Sequence, residues 1–344
     1  MTLHELTHLA SSARSLGRDE IQAACDLLLD EKISIEERAN FLAALHARGE
    51  TPDEVATFVE ILLTRAVPVP FSGAASIDVC GTGGDKAGFF NISTTVMFVV
   101  AGAGARVIKH GNRGITSKSG GADVLEALGM KIDLTPEAVA TALEAAGCCF
   151  LFAPAYHPAF RAVVPVRKLL AERGSASIFN IIGPLLNPAR PEFQLAGVYD
   201  RTLLPTYAGS FKKLGRKRAW AVHGTGPNGL VVDELSPFGT SKVIACDAGE
   251  LSEFEIDPAD FGMRDMRPAD LIGGNADENA SIILSILEGK NQGSQRLAVQ
   301  LNAAAALVVS GKATDMQTAW NLAGASIDEG RAWNALANLR AASK

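Results

Sequence analysis

Positive charge is scarce in this chain. Its 32 Lys and Arg face 38 Asp and Glu, for a formal net charge of −6. Nucleic-acid binders usually carry the opposite balance, so neither DNA nor RNA is an expected partner. A local basic pocket for a small anion stays open. Cysteine is scarce too: Cys25, Cys80, Cys148, Cys149 and Cys246 show no CxxC and no zinc spacing. The adjacent Cys148 and Cys149 lie in an apolar stretch and read as packing. An odd, unpatterned set suits a reducing compartment rather than a disulfide scaffold. Long apolar runs are missing. The longest, VMFVVAGAGA, ends at Arg106 and is too short to cross a bilayer. The N-terminal MTLHELTHLASSARSL is amphipathic and has no secretory apolar core. A soluble cytoplasmic protein without a membrane partner is expected. Neither GxxxxGK[ST] nor a full GxGxxG occurs, so a P-loop and a dinucleotide site are both unsupported. There is no internal repeat and no low-complexity tract.

What remains is apolar and well patterned. The chain has 344 residues and is 47% hydrophobic, enough for one large domain or two smaller ones. Residues 1–66 read as three or four short helices. Ile21, Ala24, Cys25 and Leu28 share one helical face, as do Val55, Phe58, Val59 and Leu62. Ser34 with Glu37, and Thr51 with Glu54, have capping-box spacing. So few residues bury little alone, so this unit is expected to pack on the rest of the chain or on a second subunit. VPVPFSGAAS, residues 67–76, reads as a linker. Beyond it, strand-like and helix-like stretches alternate. SIDVC, RVIKH, KIDL, FQLAGVYD, RAWAVHG and SKVIACD read as strands, and CCFLFAP is a further apolar run. Ser93 to about Ala103, ADVLEALG and TPEAVATALEAAG read as helices, with Ala-rich helices again from about Asn279. The fold class is therefore α/β: a small helical domain beside a larger domain, 72–344, with a mainly parallel central sheet.

Two unusual loops follow neighbouring strands. CGTGGDKAGFFNISTT joins SIDV to an apolar helix. Its glycines let the backbone approach a ligand, and Asn91, Ser93 and Thr94 stand where free helix N–H groups favour phosphate. The same stretch also suits a tight strand-to-helix turn with an Asn or Ser cap. KHGNRGITSKSGGAD gathers Lys109, His110, Asn112, Arg113 and Lys118 among glycines, which suits a diphosphate or an exposed charged loop. Asp233-Glu234 is either solvated surface or, beside a diphosphate, a Mg²⁺ anchor. Arg167, downstream of His157-Pro158, is either a helix-surface charge or the partner of a planar carboxylate.

GTGGD, NIST, KHGNR, SKSG, ADVLEALG, HP…VRK, FNIIGPLLNP and VHG…DELS occur together and in order. Along its whole length the chain resembles the anthranilate phosphoribosyltransferase family. The resemblance implies a helical domain hinged to an α/β domain, with a segment near 160–185 returning to the helices, and a homodimer formed through them. It implies transfer of the phosphoribosyl group from phosphoribosyl pyrophosphate to anthranilate, the second step of tryptophan synthesis. It assigns the donor to Gly81, Gly84, Asp85, Asn91, Ile92, Ser93, Thr94, Lys109, His110, Gly111, Asn112, Arg113, Gly114, Ile115, Thr116, Ser117 and Gly121. Gly81, Asn112 and Arg167 match anthranilate contacts. Ser93, Asp233 and Glu234 match contacts to Mg²⁺, two ions per subunit. No acid or base is assigned, and His110 reads as structural or orienting.

Three departures stand out. Phe89 stands where the family often has Ser or Thr, and Gly121 where it often has Ser. AERGSAS lengthens the stretch between Arg167 and Phe179. Each lost hydroxyl removes one possible phosphate bond, worth roughly 1 kcal/mol net; the longer loop bears on the acceptor. A pyrimidine nucleoside phosphorylase-like enzyme and a non-catalytic nucleic-acid-binding paralogue are the alternatives. KHGNR and NIIGPLLNP favour the transferase. No glutamine amidotransferase segment precedes residue 1, so a fusion with that partner is not expected.

Overall fold

A computed structural model describes residues 1–114 and 118–344. It opens with four helices: α1 (Leu3–Ala10), α2 (Arg18–Leu29), α3 (Ile35–Arg48) and α4 (Pro52–Leu63). Their starts follow from the capping residues. Thr2 with Glu5, and Thr51 with Glu54, close reciprocal boxes, and Ser34 accepts the Glu37 N–H. The two apolar stripes read from the sequence, one on α2 and one on α4, meet in a single core.

The following segment has no regular element until residue 76. It is nevertheless laid on the larger unit. Val67 donates its N–H to Tyr156 O at 2.8 Å, and Val67, Val69 and Phe71 pack around Ile108 and Leu151. Strands and helices then alternate: β1 (Ser76–Gly81), α5 (Ile92–Gly102), β2 (Arg106–Gly111), α6 (Gly121–Ala127), α7 (Pro136–Ala146), β3 (Cys148–Phe152), α8 (Ala153–Tyr156), α9 (Val164–Glu172), β4 (Phe193–Gly197), α10 (Leu204–Lys213), β5 (Arg218–Thr225), β6 (Val231–Val232), β7 (Ser241–Asp247) and β8 (Glu250–Ile256). The chain ends in α11 (Ala276–Leu287), α12 (Ser294–Val309), α13 (Met316–Asp328) and α14 (Arg331–Ala342). Among the described residues no helix is long and apolar enough to cross a membrane.

The sheet order is β3-β2-β1-β4-β5-β7-β8, with β6 paired to β5. β1 to β5 run parallel, and β6, β7 and β8 add antiparallel pairs. The order reverses between β1 and β4. A sheet of this kind opens its ligand crevice there, outside the carboxyl ends of the strands.

Several elements differ from the sequence reading, among them α10 and β6, which it did not name. KIDL is not a strand. β2 pairs directly with β3, from Val107 against Cys148 to Gly111 against Phe152, so KIDL does not lie between them. Met130 and Ile132 are buried from a loop instead, and the Lys131 N–H bonds Ser343 O at 3.0 Å. Conversely, ELSEFEI forms β8. It is an almost wholly exposed edge, so it lacks the apolar alternation that announces a strand. Its glutamates keep that edge from pairing with another chain.

The helical unit shares its core with the rest of the chain. Val166 and Leu170 of α9, Ile178, Ile182, and Tyr207 and Phe211 of α10 complete it. Arg38 on α3 is buried and donates to Leu28 O and Ala162 O. Arg173, in the longer loop after α9, bonds Glu36 and Asn40 of α3.

Candidate active site

Glycines at the ends of β1 and β4 set the floor of the crevice. A Cβ on Gly81 would lie 2.2 Å from Asp233 Oδ2, and one on Gly197 would lie 1.4 Å from Asp233 O. The loop after β6 therefore crosses directly over both strand ends, and only glycine leaves room for it. This crossing brings Asp233-Glu234 to GTGGD. The Gly83 N–H, on a residue with φ of 70°, donates to Asp233 Oδ2 at 2.7 Å. Glu234 Oε1 accepts the Ser93 N–H at 3.0 Å, in the first turn of α5. Lys109, at the end of β2, donates to Val79 O and reaches Ser93 Oγ at 3.2 Å.

The electrostatics are unbalanced. Burial, followed by the charge of nearby Asp85, pushes the Asp233 carboxyl well above the usual range. Glu234 is raised by burial and then by Asp233 and Asp85, with Lys109 offsetting only part. Three acids thus repel one another where one cation is not enough to neutralise them. Among the described residues, no three His, Cys, Asp or Glu side chains form a cage for a metal. The donor set is hard oxygen: carboxylates and the Ser93 hydroxyl. It suits a divalent cation that completes its shell with oxygens of a bound ligand and water.

On the far side of Lys109 the chemistry changes. His110 and His157 are buried with ring centroids 5.2 Å apart, edge to face. His157 Nε2 meets Leu186 O at 2.8 Å and its ring stacks on Phe160. His110 Nε2 and His157 Nδ1 have no hydrogen-bond partner among the described residues. Burial lowers His110 to about 3 and His157 to about 4, so both rings are neutral near pH 7. Arg167, on α9, is half-buried, desolvation lowers its pKa, and it makes no ion pair among the described residues. A guanidinium in that state suits an anionic ligand.

Sequence relatives and solved structures point to the same family. The model of the glycosyl transferase family helical bundle domain matches residues 4–66, and that of its a/b domain matches 73–333. An anthranilate phosphoribosyltransferase from Exiguobacterium sibiricum is 44% identical over 336 residues, 97% of this chain and 96% of that one. The enzyme of the same name from Anaeromyxobacter sp. is 42% identical over 329 residues, covering 96% and 95%. The chain belongs to the anthranilate phosphoribosyltransferase family. The crystal structure of the family member from Thermus thermophilus superposes with a TM-score of 0.88 at 34% identity, covering 98% of both chains. The Saccharomyces cerevisiae member in complex with PRPP and Mg gives 0.82 at 26% identity, covering 97% of this chain and 93% of that one.

Set against the family motifs, the structure gathers Gly81, Asp85, Ser93, Lys109, Asp233 and Glu234, while Gly84 lies against Tyr199 and Ile92 and Thr94 are buried in the first turn of α5. Gly121 faces them from α6, where a Cβ would lie 3.2 Å from Thr94 Oγ1. Gly111 closes β2 against Phe150. Asn112 and Arg113 are exposed, and Arg113 is turned to Asp123 at 3.0 Å, to Glu126, and over the Phe152 ring at 5.5 Å. Ile115, Thr116 and Ser117 lie outside the described residues. Phe89 packs on Phe238, with ring centroids 5.6 Å apart, and bridges to Ile272.

Residue-by-residue reading missed several supporting groups. Asp123 Oδ2 accepts both the Gly114 and Gly120 N–H groups at 2.8 Å, closing the base of the KHGNR loop. Asp78 accepts from Asn187 at 2.9 Å and from the His110 N–H at 3.2 Å. A lone carboxylate inside the apolar stretch SIDV is the signal that could have found Asp78. Nothing local marks Asp123, because its partners come from the loop's two ends.

Proposed function

We propose that this protein transfers the phosphoribosyl group of phosphoribosyl pyrophosphate to the amine of anthranilate, giving N-(5-phosphoribosyl)anthranilate and pyrophosphate in tryptophan biosynthesis. The observation that carries this reading is the crossing of Asp233-Glu234 over the ends of β1 and β4. It puts acids, glycine N–H groups and the start of α5 at one point. The family membership supports the same reaction.

In this reading Gly81, Gly84, Asp85 and Asn91 to Thr94 cradle the donor's phosphates, and Lys109 to Ser117 with Gly121 wrap the remainder and the ribose. Asp233, Glu234 and Ser93 hold Mg²⁺, two ions per subunit. When bound, the metal supplies positive charge against the diphosphate. Arg167 faces the anthranilate carboxylate, with Gly81 and Asn112 beside the ring. The aryl amine is a neutral nucleophile at pH 7, so attack needs no strong base. That agrees with a His110 ring that stays neutral and orients rather than titrates. The protein's work is to hold the amine against the ribose carbon and to offer N–H groups and Lys109 to the departing diphosphate. Movement of the helical unit, together with the 160–185 segment packed into its core, against the rest of the α/β domain would exclude water, which competes as acceptor. A homodimer formed through α1 to α4 and a cytoplasmic location complete the reading.

The test is the fluorescence of anthranilate on adding phosphoribosyl pyrophosphate and Mg²⁺, with EDTA as control. A decay that depends on the metal is expected. No decay, together with phosphorolysis of a pyrimidine nucleoside, would replace this function with the phosphorylase.

A further inference from the structure

Asn91 occupies the N-cap of α5 but does not cap it: its side chain makes no hydrogen bond to the helix N–H groups. Asparagine is among the residues that cap most readily, so something must hold it away. The holder is Asn279, 2% exposed, in the first turn of α11. Its atoms can be assigned without ambiguity. The Gly274 N–H, 2.8 Å away, can only donate, so Asn279 presents Oδ1 to it. Asn279 Nδ2 then donates to Asn91 Oδ1 at 2.9 Å. Asn91 Nδ2 is left to face an acceptor, and it does: Ser119 O at 3.1 Å. A relay of two amides, fixed at both ends by backbone groups, links α11 to the loop that precedes α6.

The surrounding chain is built to keep this relay in place. Residues 271–273 run beside 88–90. The Phe90 N–H bonds Leu271 O at 3.0 Å, and the Gly273 N–H bonds Gly88 O at 2.9 Å. Those two bonds flank an antiparallel bridge between Phe89 and Ile272, and the Phe89 ring packs on Phe238. Gly273 is obligatory, because a Cβ there would sit 2.6 Å from Asn279 Oδ1 and 2.7 Å from Phe90 Cα.

We propose that Asn279 is a positioning residue for donor binding: it holds the Asn91 amide off the N-terminus of α5 and so keeps the first-turn N–H groups open to the donor's phosphate. This rests on the function proposed above. Released from Asn279, Asn91 keeps its bonds to Ser119, to O at 3.1 Å and from Oγ at a weak 3.4 Å, and loses the stronger hold on its Oδ1, so the amide can turn toward its own helix and compete with phosphate.

The experiment compares wild type with N279A, N279D, N91A and the N91A/N279A double variant. N279D keeps an acceptor for Gly274 but sets an acceptor against Asn91 Oδ1, so it breaks the relay if N279A folds poorly. Two readouts are taken: KM for each substrate, and amide hydrogen exchange of residues 88–95 in the ligand-free protein. We expect KM for phosphoribosyl pyrophosphate to rise about tenfold, with KM for anthranilate held within about twofold. Exchange at 88–95 should change in both single Asn279 variants. The double variant should match N91A, because Asn279 acts through Asn91. Equal rises in both KM values, additive effects in the double variant, or unchanged exchange would overturn the proposal. Failure of the wild type to turn over would instead overturn the function, and exchange would still decide whether Asn279 orders this segment.

Discussion

Asp78 and Asp233 both belong to the β1 region, and burial raises the pKa of both. Their surroundings make them opposites. Asp78 sits inside the strand with a full set of donors: Asn187, the His110 N–H, and the charges of Lys109 and Arg216. Those partners hold it at about 6 despite complete burial. Asn187 also reaches Ile108 O, so this acid ties β1, β2 and the GPLLNP segment together. Asp233 lies over the end of the same strand with one N–H, from Gly83, and two like charges, Asp85 and Glu234. An acid with its partners supplied by the fold is part of the structure. An acid whose partners are other acids is a place for a cation. Burial alone does not tell the two apart; the supply of donors does.

The comparison can be broken in order of expected effect. D233N with E234Q should lower Mg²⁺-dependent turnover at least ~100-fold. The same pair should stabilise the ligand-free protein at pH 8. The sign follows from linkage: acids whose folded pKa is raised contribute stability that is fully present below about pH 4 and is lost as pH climbs through their folded values. Wild type should therefore lose stability toward pH 8, and the double variant should lose less. Denaturant unfolding across pH checks it; an equal slope in both proteins would refute the assignment.

D78A should do the reverse. Leaving one Asn187 N–H and the His110 N–H unpaired costs about 3 kcal/mol of stability, while turnover per folded molecule falls far less than in the D233N/E234Q pair. A loss of turnover without loss of stability would make Asp78 a site residue. R167A should raise KM for anthranilate roughly 10- to 100-fold and leave the donor KM unchanged, as expected for loss of a charge-assisted pair. Parallel rises in both would remove Arg167 from the acceptor site. The smallest effect is G121S. Its Cβ would stand 3.2 Å from Thr94 Oγ1, and an improvement of about two- to fivefold in donor KM is expected from the added hydroxyl. A loss would mean that Thr94 cannot yield the few tenths of an ångström a Cβ requires.

The helices before β3 and after Asn275 were legible because their signals are local, whereas α10 was not read. Capping pairs, apolar spacing and stop glycines such as Gly129, at φ of 85°, need no tertiary information. The parallel strands were legible as apolar runs between those helices. KIDL failed because the alternating Ile132 and Leu134 resemble a strand, whereas here they fill the apolar space beside the sheet from a loop. β8 was missed because an edge strand with solvent on nearly every residue has no alternation to read. In the site, contiguous motifs were readable, and so was Asp233-Glu234 once a diphosphate was suspected. Asp123, Asp78 and Asn279 were not. Each acts on groups far away in sequence, and only the crossing of strands and loops brings them together.

The most direct test of the carboxylate cluster is thermal unfolding of the wild-type protein at pH 8, with phosphoribosyl pyrophosphate, with Mg²⁺, and with both. Ligands that bind one site together stabilise the folded state beyond either alone. The account predicts a rise in Tm with both that exceeds the sum of the separate rises and disappears in D233N/E234Q. A rise that needs no metal, or that survives in that double variant, would contradict it.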